Sequence, residues 1–292
     1  MYQYNHGNEL LELTKKYNLP ISQIVILEEN ERTGVPTEEI FKKMERNLLV
    51  MRESIEKGLN EDIVSVSGLS RGDAKKLYER VTIGNTLSGE TIAKAVASAL
   101  AVTEVNASMG KIVAAPTAGS SGVIPGALIT IGRKFGKSNT DMTKALFTAS
   151  GIGVIIAKNA TLAGAEGGCQ AEVGSASAMA AAALVELIGG TATECFNAAS
   201  FAIMNLLGLV CDPVAGLVEV PCGKRNAIGT ANAIICADLA LAGMESIIPF
   251  DEVVDAMYRV GRSIPCALRE TAEGGLAKTP TGIKLKDKIF GK

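Results

Sequence analysis

The stretch Gln170-Ala-Glu-Val-Gly-Ser-Ala-Ser-Ala-Met-Ala-Ala-Ala-Ala-Leu-Val-Glu-Leu-Ile188 decides the fold class. It has helical length and is rich in Ala, Leu and Met, the residues that give up least on entering a helix. It also lacks the period-two alternation of a half-buried strand. A lipid bilayer is the competing way to bury such a segment, and it requires ~20 uninterrupted apolar residues. Ser175–Gly189 carries Glu186, Phe196–Val210 carries Asn197 and Asn205, and the run between Lys144 and Lys158 is too short. The expectation is therefore a bundle of buried helices whose small residues let backbones approach closely, with no membrane association.

Outward from this stretch the pattern repeats. Glu90–Val105, Gly122–Phe135, Asp141–Ala163, Thr191–Val210 and Asn226–Ala242 have the same length and composition. Glycine-containing breaks separate them, among them Gly119–Gly122, Gly167-Gly168 and Cys222-Gly223. These features predict an all-α fold, a compact multi-helix catalytic domain with glycine-rich loops. Towards the N-terminus Phe41, Met44, Leu48, Met51 and Ile55 step by three and four, which lays one apolar stripe along a helix opening after Pro36-Thr37. The composition shifts from charged to small residues near residue 60. We divide the chain there into a charged N-terminal helical segment, 1–60, and a helical domain, 61–292, although no linker or repeat draws a hard boundary and the two can be one domain. Pro249–Lys292 is charged again, with a helix around Glu252–Val260 and a tail, Lys284–Lys292, expected to fray or to dock on a partner.

The charge balance narrows the function. Twenty-nine basic against thirty-one acidic residues leave a net charge of −2, which gives no electrostatic footprint for nucleic acid or an anionic membrane. The absence of Trp and only 4% aromatic residues argue against base stacking. Met1–Gly7 has neither the basic cluster nor the apolar core of a secretory signal, so the expected location is cytoplasmic. In that reducing setting the six cysteines read as packing residues, reactive thiols or metal ligands rather than disulfides.

Three of them stand at glycine- or proline-marked breaks: Gly167-Gly168-Cys169, Cys211-Asp212-Pro213 and Pro221-Cys222-Gly223. A thiolate is the ligating form, and a helix N-terminus lowers a thiol's pKa. Cys169 is expected just before the helix beginning near Gln170, Cys222 just before one beginning near Asn226, and Cys211 at the end of a helix. The bland alternative for each is a small buried hydrophobe, and it is kept for Cys195, Cys236 and Cys266, which are expected in ordinary helical surroundings. For the trio, zinc and a cluster both stand open. Paired Cys-x-x-Cys spacing is absent and the single histidine, His6, is remote, while three thiolates without a fourth suit a cubane with one accessible iron.

Three long segments carry a resemblance. Lys111-Ile-Val-Ala-Ala-Pro-Thr-Ala-Gly-Ser-Ser-Gly-Val-Ile-Pro-Gly-Ala127, Glu166-Gly-Gly-Cys-Gln-Ala-Glu-Val-Gly-Ser-Ala-Ser-Ala-Met-Ala180 and Cys211-Asp-Pro-Val-Ala-Gly-Leu-Val-Glu-Val-Pro-Cys-Gly-Lys-Arg-Asn226 closely resemble the signature segments of the bacterial iron-sulfur-dependent L-serine dehydratase alpha chain. The likeness runs from roughly Ser65 to Leu276. It implies an all-helical catalytic domain, a 4Fe-4S cluster held by Cys169, Cys211 and Cys222, and conversion of L-serine to pyruvate and ammonium without pyridoxal phosphate. In such enzymes an open iron draws on the substrate hydroxyl as a Lewis acid. A Ser-Ser-His-Thr type motif that would supply the base belongs to a fused domain or a separate beta chain, and neither motif nor domain occurs here. The resemblance therefore implies half of an enzyme, completed by a beta chain.

The turn Thr117-Ala118-Gly119-Ser120-Ser121-Gly122 presents amides and hydroxyls ahead of a helix expected at Val123. Within this family-like segment Thr117, Gly119, Ser120, Ser121 and Gly122 are assigned to binding a small amino-acid substrate. Ser65–Lys76 is a second candidate wall of the site, with an exposed helix cap as its bland alternative. His6, in an N-terminal segment expected to be flexible, is a weak candidate for the base, and the catalytic residue of this chain stays unidentified. Competing readings are a related threonine dehydratase or cysteine desulfidase and, from another class, a non-catalytic helical protein whose thiols hold a structural metal.

Overall fold

A computed structural model describes residues 1–291. Among them are thirteen α-helices: α1 Gly7–Tyr17, α2 Ile21–Thr33, α3 Thr37–Asn60, α4 Asp73–Thr82, α5 Gly89–Ala107, α6 Val123–Lys134, α7 Asn139–Asn159, α8 Gly164–Gly167, α9 Ser175–Ile188, α10 Ala192–Met204, α11 Cys222–Leu241, α12 Phe250–Ser263 and α13 Pro280–Phe290. The only β-type pairings among the described residues are two isolated bridges, Val64 with Arg71 and Cys211 with Arg269. The fold is all-α, as the sequence predicts.

Helix α9 is the axis of the molecule. Every residue from Ser175 to Val185 is buried, and α6, α7, α10 and α11 pack around it. Gln170–Ile188 is long and apolar enough to cross a membrane, yet 89% of that window is covered by the rest of the fold. Alanine methyls bury little area each, so stability here depends on how closely backbones approach. Between α5 and α6 that approach is tight. A methyl at Gly122 would collide with the Ala99 carbonyl, and one at Gly126 would stand 2.8 Å from the Ala95 carbonyl.

The N-terminal helices lie on this bundle. Leu48, Met51 and Ile55 of the predicted stripe are buried, with Phe41 and Met44 packed partly against them. Leu10, Ile21, Ile24, Leu48 and Ile55 share one apolar cluster with Leu128, Ile152 and Leu184, so residues 1–60 and the remainder meet in a continuous core. The extreme N-terminus is tied down rather than flexible. Tyr4 is buried, Lys158 Nζ donates to its carbonyl at 2.7 Å, Asn159 Nδ2 donates to the Asn5 carbonyl, and His6 is the N-cap of α1. At the other end Lys284–Phe290 forms the second half of α13 instead of fraying, while Lys292 lies outside the described residues.

Several helix ends differ from expectation, and the differences fall where the site is built. The predicted Asp141–Ala163 helix stops at Asn159, leaving a loop before α8. The predicted Thr191–Val210 helix stops at Met204, and Gly208, at φ 82°, turns the chain away. Cys211 therefore stands seven residues past a helix rather than at its end. Helix α11 begins at Cys222, with Pro221 as its N-cap, not near Asn226. A π-helical turn, Gln170–Gly174, leads into α9 directly after Cys169.

Candidate functional site

Four irregular segments meet at the site. Gln170 joins two of them, its N–H donating to the Leu209 carbonyl and its Oε1 accepting from Gly208 N–H. Cys211 is held on both sides of its peptide by a third, donating to the Leu268 carbonyl at 2.8 Å and accepting from Glu270 N–H at 2.7 Å. The fourth is the Thr117–Gly122 turn, whose Thr117 hydroxyl donates to Glu172 Oε1 at 2.8 Å.

These constraints bring the Sγ atoms of Cys169 and Cys211 and a carboxylate oxygen of Glu172 within 4.8 Å of one another, all three residues buried. Cys222, also buried, stands outside that group but is near enough for the charge of Cys169 to act on it. No cysteine is in a disulfide. Arg225, one turn into α11, donates from Nη1 to Cys169 Sγ at 3.4 Å and from Nη2 to Asp212 Oδ1 at 2.6 Å. A half-buried guanidinium therefore compensates the anionic end of the site.

The thiols divide accordingly. A hydrogen bond from the Cys211 thiol, joined by the Arg225 charge, holds Cys169 below the ordinary thiol range in spite of its burial. The same shared proton, reinforced by burial, drives Cys211 far above that range. Burial first and the Cys169 charge second push Cys222 up to about 12. Three thiols, of which Cys169 gives up its proton most readily, and the carboxyl group of Glu172 form a donor set for a soft metal or a metal cluster, and binding would expel the thiol protons.

The glycine-serine turn is a short 3₁₀ segment, Ala118–Ser120, followed by α6. Its residues do different things. Thr117 and Gly119 lie against Glu172, where a methyl at Gly119 would stand 3.1 Å from Oε1. Ser120, fully buried, shares a hydrogen bond with Thr117, and Ser121 donates to the Ala118 carbonyl. Gly122 N–H is occupied by Asn226 Oδ1 at 2.9 Å, while Asn226 Nδ2 donates to the carbonyls of Gly119 and Cys222. One asparagine thus locks the turn to the cysteine-bearing start of α11. The Ser65–Lys76 segment also reaches this region, through Ser67 Oγ to Glu219 Oε1 at 2.7 Å and Lys224 to Asp73 at 2.6 Å.

Sequence reasoning passed over Glu172 and Glu270. Glu172 is 8% exposed, and burial, together with the charge of Glu270, raises its carboxyl pKa while the Thr117 hydrogen bond opposes the shift. Glu270 adopts a left-handed backbone at φ 63° beside Cys211. A carboxylate inside an alanine-rich run was a readable signal, since an unpaired buried charge needs a reason. Of the cysteines left to packing, Cys195 and Cys236 are buried within helices, but Cys266 is exposed in a 3₁₀ turn, Cys266–Leu268. It is not a core residue, because that turn faces outward beyond α12.

The family model described as serine dehydratase alpha chain matches residues 16–277. A Bacillus subtilis protein named probable L-serine dehydratase, alpha chain, is 53% identical over 99% of this chain and 96% of its own length. The L-serine dehydratase alpha chain of Peptoniphilus asaccharolyticus is 51% identical over 97% of both chains. A longer Streptomyces coelicolor L-serine dehydratase is 36% identical over 94% of this chain, which spans 61% of that protein.

Proposed function

The chain belongs to the serine dehydratase alpha-chain family, and from that premise we propose that it is the alpha subunit of a cytoplasmic L-serine dehydratase, a lyase releasing pyruvate and ammonium from L-serine in company with a beta chain. The observation that carries the reading is the meeting of Cys169, Cys211 and Glu172 with the Thr117–Gly122 turn, which sets a metal-type donor group beside the Thr117 hydroxyl and Gly119.

Cys169, Cys211 and Cys222 would hold a 4Fe-4S cluster. Such a cluster, when bound, supplies a Lewis acid that eases departure of a poor leaving group, hydroxide. The chain's own residues prepare the place. Arg225 balances the thiolate charge and keeps Cys169 oriented, while Asp212 fixes Arg225 from the other side. Asn226 holds the turn rigid, so that Thr117 and Gly119 present a fixed edge to a small amino acid. The base that removes the Cα proton would come from the beta chain, which also accounts for the site lying in loops rather than deep inside the bundle. Tautomerisation and hydrolysis of the released enamine then need no further group from this chain.

The test is anaerobic co-expression with a beta chain, followed by assay of pyruvate from L-serine, L-threonine and L-cysteine. Turnover strongest with L-serine supports the reading. Iron-loaded complex that forms no pyruvate from L-serine contradicts it.

A further inference from the structure

Glu172 and Glu270 form an acidic pair for which the described residues offer no cation. Neither takes part in a salt bridge, and Arg225 is committed to Asp212 and Cys169. Glu172 Oε1 accepts from Thr117, but Oε2 accepts no hydrogen bond among the described residues, although the side chain is more than nine-tenths buried. That oxygen points towards Gly164. A methyl there would stand 2.7 Å from Glu172 Oε2 and 3.2 Å from Glu270 Oε2, so both oxygens surround one bare Cα. Two carboxylate oxygens that close to one point can be bridged by a single ammonium with two charge-assisted hydrogen bonds of ~2.8 Å.

The backbone is arranged to keep the pair together. Glu270 is pinned in its left-handed conformation by its N–H donating to the Cys211 carbonyl at 2.7 Å, and its side chain is on the exposed lip of the site. Glu172 lies deeper, between Gly119 of the turn and Gly164 of α8, where each missing side chain leaves room for its carboxylate. One carboxylate is exposed and the other buried, and both are close enough to the Cys211 thiol to act on it.

We infer that Glu172 and Glu270 form the subsite for the α-ammonium group of the amino-acid substrate, with Gly164 keeping the approach open. This rests on the proposed amino-acid lyase function and adds to it the feature that separates an amino acid from the corresponding hydroxy acid. The carboxylate end of the substrate then lies towards the turn, and the β-substituent towards the thiols.

The test uses the anaerobically loaded alpha–beta complex and equilibrium dialysis with two unreactive probes, L-alanine, which has the ammonium, and propionate, which lacks it. The wild type is expected to prefer L-alanine. Glu270→Gln, at an exposed position that does not threaten folding, should cut that preference about fivefold, and Glu172→Gln about tenfold or more, as expected for losing a hydrogen bond to a charged group. Gly164→Ala should weaken L-alanine and leave propionate nearly unchanged. With L-serine, Glu270→Gln should raise KM while kcat stays within about threefold, the pattern of lost ground-state binding. Wild-type preference in both glutamate variants overturns the inference even when L-serine is turned over. So does loss of iron in both variants in proportion to lost binding, because the carboxylates would then be serving the metal. Absence of turnover in the wild type, with the preference present and dependent on the glutamates, would leave this subsite standing and remove only the assigned reaction.

Discussion

Along α9 and its neighbours side chains are packed by other side chains, whereas in the segments 116–122, 164–174, 206–222 and 264–276 many polar atoms of one segment are bonded by another. Apart from the exposed Cys266, the cysteines of both regions are buried but differ in company. Cys195, fully buried, has its thiol raised well above the usual range by burial, and burial pushes Cys236 up to about 12. Cys169, just as hidden, is held low by Cys211 and Arg225. Burial alone therefore does not set the state of a thiol in this chain. What sets Cys169 apart is a cationic partner and a second thiol within reach.

Substitutions should separate the regions in a graded way. Cys169→Ser and Cys211→Ser are expected to abolish retention of iron and sulfide and all turnover, measured by metal analysis and pyruvate assay on anaerobic preparations. Retained brown colour in either would break the comparison at its strongest point. Next, Arg225→Met leaves Asp212 buried without its partner, a loss of ~3 kcal/mol in unfolding free energy. Iron content should fall with it, and an unchanged urea midpoint with full iron would show that Arg225 is dispensable.

The interior should answer only through stability. Gly58 packs so closely on α5 that a methyl would stand 2.5 Å from the Ala101 carbonyl. Gly58→Ala should cost ~1–3 kcal/mol by overpacking, read from the urea midpoint, without lowering iron per folded chain. Smallest of all, Cys195→Ala removes one sulfur from a packed site and should cost about 1 kcal/mol, again with iron intact. Metal loss in Cys195→Ala would erase the distinction drawn here.

The same division explains what the sequence made legible. Helices α3, α5, α6, α7, α9, α10 and α11 follow from periodicity and composition, because an interior of uniform packing writes a uniform pattern. The loop region is specified by single contacts across long separations, such as Thr117 with Glu172, Asn226 with Gly119 and Cys211 with Leu268. No local spacing announces them. Cys211 was expected to end a helix because the apolar run continues to Val210, yet Gly208 turns the chain earlier. The sequence places Cys222 ahead of a helix starting near Asn226, yet Pro221 is the N-cap and Cys222 the first helical residue. Glu270 had no signal at all, since its position depends on the hydrogen bond from its N–H to the Cys211 carbonyl that only the folded chain creates.

Cys222 and Cys266 give the sharpest test. Cys266 is exposed in the turn whose Leu268 carbonyl holds Cys211, so it is a rival for the third thiol, while Cys222 stands outside the tight Cys169–Glu172–Cys211 group. Iron and acid-labile sulfide should be measured per chain in anaerobically reconstituted Cys222→Ser and Cys266→Ser. The account predicts a full cubane's content in Cys266→Ser and its loss in Cys222→Ser. The reverse pattern, or full content in Cys222→Ser, would contradict it.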